Sequence, residues 1–242
     1  MTTVFFHAHP DDEAIFTGGT VARLVAAGER VVVAFATQGE LGGVATTRVL
    51  ETEAAAVVLG APQVAFLGYH DSGLDEIAPD AFAAVPIDDA AARLARVLRE
   101  SQANALIAYD EFGIYGHPDH VHVHRVAHRA AQLANVATVY ECTVDHEYLH
   151  FVETHLVAEA RAAAASTLGH EGATIGLPSV LITNTVDVRR VLDTKRAAMA
   201  AHASQIPETA SAMQLGADDF AAVYGWEWFV RHGPPAAIDA LA

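Results

Sequence analysis

The sequence predicts an α/β fold, a doubly wound, mostly parallel Rossmann-like sheet with helices on both faces, formed as a single domain. Short runs of β-branched and aromatic residues alternate with helical patterns, the signature of β-α-β units. One of those runs, Val31 to Ala36, is apolar throughout, as in a strand buried on both faces of a parallel sheet. The length of 242 residues suits one core, since single cores stop growing only near roughly 250 to 300 residues.

In chain order, Val4 to Ala8 reads as the first strand, and Thr17, Gly18 and Gly19 open a helix that runs through Ala27 and closes at Gly28. Val31 to Ala36 is the second strand, followed by a loop from Gly39 to Gly43 and a helix from Thr46 to Leu59 stopped by Gly60 and Pro62. A strand Val64 to Leu67, a helix Asp88 to Glu100 and a strand Ala105 to Tyr109 follow, then a helix from near Pro118 and a strand Thr138 to Thr143. Beyond Asp145 the pattern loosens into an Ala-rich helix from Glu159 to Leu168, a strand Val180 to Val186 and a helix Thr194 to His202, with the Pro234-Pro235 segment as a loose end. Residues 1–145 therefore read as the α/β core that carries the site, and 146–242 as a C-terminal part that shapes the substrate pocket.

Charge and composition narrow the function. The chain has 14 Lys and Arg against 30 Asp and Glu, a formal charge of -16, which repels phosphate backbones and anionic lipid headgroups. Nucleic acid and membranes are thus not expected partners; a small molecule is, and a closed homo-oligomer, common among soluble enzymes, is compatible with the chain. Cys142 is the single cysteine, so no internal disulfide framework exists. With no basic start and no long apolar run in MTTVFFHAHPDDE, the expected location is the cytoplasm.

In doubly wound sheets ligands bind outside the carboxyl ends of the strands. His9-Pro10-Asp11-Asp12-Glu13 leaves the first strand there, placing an imidazole and several carboxylates on one tight turn. Acidic residues near a helix start also complement the helix dipole, but a second turn of the same kind, Tyr115-Gly116-His117-Pro118-Asp119-His120, leaves the strand Ala105 to Tyr109. Zinc is commonly held by three protein ligands drawn from imidazole and carboxylate, with a position left open, and His9 and Asp12 suit two of them. His117 and His120 share a helix face, and one of them suffices for the third; His120, His124 and His128 form a rival stripe that lacks a carboxylate base. The hydrolysis such a site performs needs a base for the water, for which Asp11 is placed, and a donor for the oxyanion and the departing nitrogen, which His117 supplies when protonated, its ring oriented by Asp119.

At these residues the chain resembles the PIG-L/LmbE-like family of zinc-dependent N-acetylglucosaminyl deacetylases. Gly18-Gly19-Thr20, Gly39-Glu40, Arg48 with Glu51, Leu59-Gly60, Asp71-Ser72 and Lys195 through His202-Ser204-Gln205 also fall in the family's order, so the likeness spans nearly the whole chain. The resemblance implies zinc on His9, Asp12 and His120, Asp11 as general base, and transition-state stabilisation or acid catalysis by His117 with Asp119 as its partner. The run from Tyr115 to His122 is most similar to the branch acting on mycothiol precursors and conjugates. That branch implies an oxyanion role for Tyr115 and sugar contacts for Arg48 and Asp71, whereas Phe16 and Thr17 depart from the small polar residues the precursor enzyme carries after its first motif.

These residues imply removal of an N-acetyl or other N-acyl group from an amino-sugar-containing small molecule. The alternatives are a mycothiol-conjugate amidase, or a deacylase of a natural-product intermediate. A nucleotide-binding domain is disfavoured because the first turn is acidic and lacks glycines for a pyrophosphate, and a non-catalytic metal scaffold because it needs neither base nor acid. Two imidazoles and a carboxylate also accept Fe2+, Co2+ or Ni2+.

Overall fold

The apolar runs hydrogen-bond side by side into one seven-stranded sheet. The computed structural model describes residues 1–60, 63–74, 77–157 and 175–242. Its strands are β1 (Thr2–His7), β2 (Arg30–Thr37), β3 (Gln63–Tyr69), β4 (Ala105–Tyr109), β5 (Thr138–Thr143), β6 (Asn184–Asp187) and β7 (Trp226–His232), in the spatial order β3-β2-β1-β4-β5-β7-β6. The first five are mutually parallel, and β7 lies antiparallel between β5 and β6. Every residue of β1, β4 and β5 is buried, which is why those runs carry no polar alternation.

The helices are α1 (Asp12–Phe16), α2 (Gly18–Ala26), α3 (Ala45–Val58), α4 (Ile87–Ser101), α5 (Gly113–Gly116), α6 (Pro118–Ala134), α7 (His146–His155), α8 (Leu192–Ala201), α9 (Ser211–Gln214) and α10 (Ala217–Tyr224). Connections between parallel strands are right-handed, so the crossovers β1-α2-β2 and β2-α3-β3 cover one face. Those through α4 and α6, which step the other way along the sheet, cover the opposite face. Accordingly α4 packs on α6, while α8 packs on α2 and α3. In α4 the buried positions Ala90, Ala91, Leu94, Ala95 and Leu98 recur at helical spacing. Pro118 at the first turn of α6, where its fixed φ suits a helix start, sets that helix's entry.

The sequence-based bounds hold within a few residues for the first five strands and their helices. The C-terminal part differs more. The segment expected as a strand from Val180 opens instead with a short 3-10 turn, Ser179–Leu181, and becomes strand only at Asn184. The strand β7 was not foreseen, although it supplies the pairing that joins β6 to the rest. The Pro234-Pro235 segment is not loose: Thr138 Oγ1 donates to the Pro234 carbonyl at 2.9 Å, the Tyr140 hydroxyl bonds Asp239, and Ile238 is fully buried. The expected helix Glu159 to Leu168 lies outside the described residues.

No helix among the described residues is long and apolar enough to cross a membrane. The chain leaves β1 toward β2 and returns at β4 on its other side, so the crevice between the carboxyl ends of β1 and β4 is the switch point where ligands of such sheets bind.

Candidate active site and metal centre

The turn after β1 is built under strain. Asp11 has φ 104°, a left-handed region that a side chain enters at a cost of about 1–3 kcal/mol. Several contacts hold it there. Its N–H donates to Glu13 Oε2 at 2.9 Å, and its carbonyl accepts from the N–H groups of Ala14 (3.0 Å) and Ile15 (3.1 Å). The buried Arg48 guanidinium binds the Pro10 carbonyl, the Gly39 carbonyl at 2.8 Å and Asp11 Oδ2 at 3.2 Å. Gly39 makes room for this: its φ is +64°, and a Cβ there would meet Arg48 Cζ at 2.5 Å. Arg48, expected at a sugar, clamps the turn through the Pro10 carbonyl and the Asp11 carboxylate.

The strained turn presents Asp12 beside two imidazoles. Donor atoms of His9, Asp12 and His120 all lie within 4.8 Å of one another, with His9 Nδ1 at 3.5 Å and His120 Nε2 at 3.4 Å from Asp12 Oδ2. His120 is fully buried and neither ring nitrogen has a hydrogen-bond partner, an arrangement that costs free energy unless something else takes the lone pair. Its ring stacks on Tyr109, centroids 4.2 Å apart. This donor set fits a divalent ion of the zinc type.

Asp119 joins the two motif turns. Its carboxylate accepts from His9 Nε2 at 3.0 Å, from the Ser72 N–H at 3.0 Å and from the Ser72 hydroxyl. A carboxylate on Nε2 leaves His9 Nδ1 free to face Asp12, the outer support typical of metal-ligating histidines. The expectation that Asp119 orients His117 is therefore corrected in its means: the backbone N–H of Asp119 donates to His117 Nδ1 at 3.1 Å, while its carboxylate serves His9. Cα geometry at a proline-led helix start turns the amide of Asp119 back onto the capping residue, as N-caps do. Asp71 lies 3.5 Å from His9 Nε2 and accepts from the Gly73 N–H at 2.9 Å.

The electrostatics follow from burial and neighbours. Burial, reinforced by the charge of Asp12, pushes the Asp11 carboxyl up to about 7 against the pull of Arg48. Burial opposes charge on His9, yet Asp119, Asp12 and Asp71 outweigh it and hold its imidazole well above the ordinary value of 6.5. Burial and the neighbouring imidazoles lower His117 to about 3, so it is neutral, and because Nδ1 accepts from Asp119 the hydrogen resides on Nε2. Burial keeps the Tyr115 hydroxyl protonated, with its ring edge-on to His120 at 4.9 Å.

Several supports pair residues whose meeting the sequence did not show. Glu13 pairs with the buried His202 at 2.6 Å. Glu227, on β7, pairs with Lys195 at 2.6 Å and accepts from the N–H groups of Gly19 and Thr20 at 2.8 Å each, capping α2 from a strand some two hundred residues away. The rival stripe does not assemble with His120; His124 and His128 turn instead to Glu141. An open cleft of about 750 Å³ adjoins the site, bounded by Phe112, Tyr115, Arg125 and, from the C-terminal part, Leu177 and Pro178.

The chain is similar to several known proteins. A 1D-myo-inositol 2-acetamido-2-deoxy-alpha-D-glucopyranoside deacetylase from Thermobispora bispora is 35% identical over 84% of this chain and 78% of its own length. Its counterpart from Geodermatophilus obscurus is 36% identical over 83% and 81%. Among solved structures, N,N'-diacetylchitobiose deacetylase from Pyrococcus horikoshii superposes with a TM-score of 0.62 at 20% identity, covering 96% of this chain and 84% of that one, a likeness of fold. The profile of the PIG-L family, described as GlcNAc-PI de-N-acetylase, matches residues 4–131, more than half of the chain. Profile, relatives and a shared fold converge on one assignment: the chain belongs to the PIG-L family.

Proposed function

We propose that the protein is a metal-dependent N-deacetylase that converts an acetamido sugar in a small glycoconjugate into the free amine and acetate. The observation that carries this reading is the fully buried His120 imidazole, which lacks a hydrogen bond and faces His9 and Asp12 beside the raised Asp11 carboxyl. His9, Asp12 and His120 would hold the metal, for which zinc is our assignment. When bound, the ion supplies a Lewis acid that polarises the acetyl carbonyl and activates water.

The remaining chemistry belongs to the chain's own residues. Asp11, whose carboxyl is matched to neutral pH, takes a proton from the attacking water and returns it to the departing nitrogen as the C–N bond breaks. Neutral His117 donates through Nε2–H to the carbonyl oxygen as it gains charge, and the protonated Tyr115 hydroxyl stands as a second donor. Arg48 and Asp119 act as positioning residues, the former on Asp11 and the latter on His9. The cleft beside Tyr115 supports a substrate-shaping role for the C-terminal part, whose Leu177 and Pro178 help bound it. The net charge of -16 and the lone Cys142 support a cytoplasmic enzyme acting on small molecules and not on nucleic acid.

The relatives' activity supports an inositol glycoside of N-acetylglucosamine as substrate. The test incubates metal-replete protein with that glycoside and with a mycothiol-type conjugate, and measures free primary amine and acetate together. Chelator-sensitive release of both in equal amounts from the glycoside is the expected result. Amine without acetate, from the conjugate alone, would replace this reading with an amidase.

A further inference from the structure

A second cluster of imidazoles lies apart from the His9, Asp12 and His120 set. His124 and His128, four apart on α6, share one helix face. Glu141 on β5 and His232 at the end of β7 are diagonal neighbours across the antiparallel pair, since Glu141 faces Val230 and Val139 faces His232. Packing of α6 on β5 brings the two pairs together. His128 Nε2, His232 Nε2 and His124 Nδ1 then lie 2.6, 3.2 and 3.3 Å from a single oxygen, Glu141 Oε1.

Hydrogen bonding alone does not call for this arrangement. One carboxylate oxygen has about two lone-pair directions, fewer than three imidazoles need. A tetrahedral zinc site with bonds of roughly 2.0 to 2.2 Å has ligand-to-ligand edges of about 3.3 to 3.6 Å, which the 3.3 Å between His124 Nδ1 and Glu141 Oε1 meets. His128 Nε2, now 2.6 Å from that oxygen, would move outward on its partly exposed side chain to meet the same edge. His124 would release the Tyr109 carbonyl, now 3.2 Å from its Nδ1. Burial lowers His124, so it is available as the neutral ligand, and the hydrogen bond from His128 together with the nearby imidazoles holds Glu141 ionised although burial opposes its charge. The four side chains and Glu111 line an open cavity of about 300 Å³ that a hydrated ion can enter.

We infer that His124, His128 and Glu141, whose donor atoms all lie within 4.8 Å of one another, form a second site for a divalent transition metal of the zinc class, separate from the catalytic set, with His232 at its rim. Three protein ligands from α6 and β5 leave a fourth position for water or for His232, whose Nε2 is 3.2 Å from Glu141 Oε1. The site involves no residue of the catalytic machinery.

The full chain and a His128→Gln/His232→Gln variant are dialysed against micromolar zinc, and zinc per chain is counted by elemental analysis. The native sequence is expected to hold one equivalent more than the variant, and the same difference of one is expected when His120→Ala is added to both, so the count is independent of the catalytic site. In the native sequence the extra equivalent, replaced by Co2+, gives the strong visible absorption of a four-coordinate ion. Equal zinc content in the two proteins, or a cobalt spectrum unchanged by the double substitution, overturns the inference.

Discussion

The Nε2 nitrogen of His9 and the Oδ2 oxygen of Asp119 stand 3.0 Å apart, joining motif turns that are 110 residues apart in the chain. The contact fixes which His9 nitrogen is left for Asp12 and, in our reading, for the metal. Asp119→Ala is expected to weaken zinc binding about 10- to 100-fold, the usual loss for an outer partner of a ligating histidine. The backbone amide that sets His117 remains, so activity should recover at high zinc. Competition with a chelator measures the first effect and assays at rising zinc the second; activity that stays low in fully loaded protein would show that Asp119 does more than support His9.

Asp11 and His120 should separate chemistry from metal binding. Asp11→Asn is expected to keep zinc and lower kcat by about 10²- to 10⁴-fold, the range for a lost general base. His120→Ala should lose zinc and turnover together. Elemental analysis beside steady-state kinetics distinguishes them, and equal zinc loss in both variants would overturn the roles assigned.

Zinc retention should depend on pH through His9. Its imidazole is held well above 6.5 in the metal-free fold by Asp119, Asp12 and Asp71 against the opposing effect of burial, so a proton competes with the ion. Affinity is expected to fall roughly tenfold per pH unit below that raised value as the proton wins. In the metal-free chain the same shift stabilises the fold below 6.5 and is lost as pH rises through the raised value. Chelator competition from about pH 5 to 8 reads the first slope, and thermal unfolding of the metal-free chain the second.

The Glu13–His202 pair is fully buried, so removing one partner strands a charge. His202→Ala is expected to cost about 3–5 kcal/mol in urea unfolding. Burial opposes charge on both partners, yet the pairing lowers Glu13 below 4.5 and raises His202 above 6.5. The Glu13 contribution is present above 4.5 and lost as pH falls through its lowered value, and that of His202 is present below 6.5 and lost as pH rises through its raised one. The gap between the native sequence and the variant should therefore be widest between 4.5 and 6.5 and narrow on either side.

Gly19 allows α2 to close onto the segment after β6: a Cβ there would lie 2.4 Å from Val188 Cβ. Gly19→Ala is expected to destabilise by about 1–3 kcal/mol, and adding Val188→Ala should recover part of the loss. Thermal unfolding of the single and double variants tests it, with strict additivity counting against the contact.

The sequence by itself determined the α/β alternation, the five parallel strands and the two acidic histidine turns at their carboxyl ends, because apolar runs and residues clustered within a few positions are local signals. It also placed His9 and Asp12 with one of His117 and His120 at the switch point, and the family resemblance implied His120 as the third ligand. Tertiary structure alone decided how these residues are supported. Arg48 closing on Asp11, the Asp119 carboxylate turning to His9 and not to His117, and Glu227 capping α2 all depend on chain segments that meet only once the sheet is wound. The strand β7 was equally hidden: its residues pair across positions far apart in the chain, and no period within it names β5 as its neighbour. Local patterning encodes where chemistry-bearing residues leave the sheet, whereas partner choice among buried charges is set by packing, where every ionised group must find a counterpart or pay the cost of desolvation.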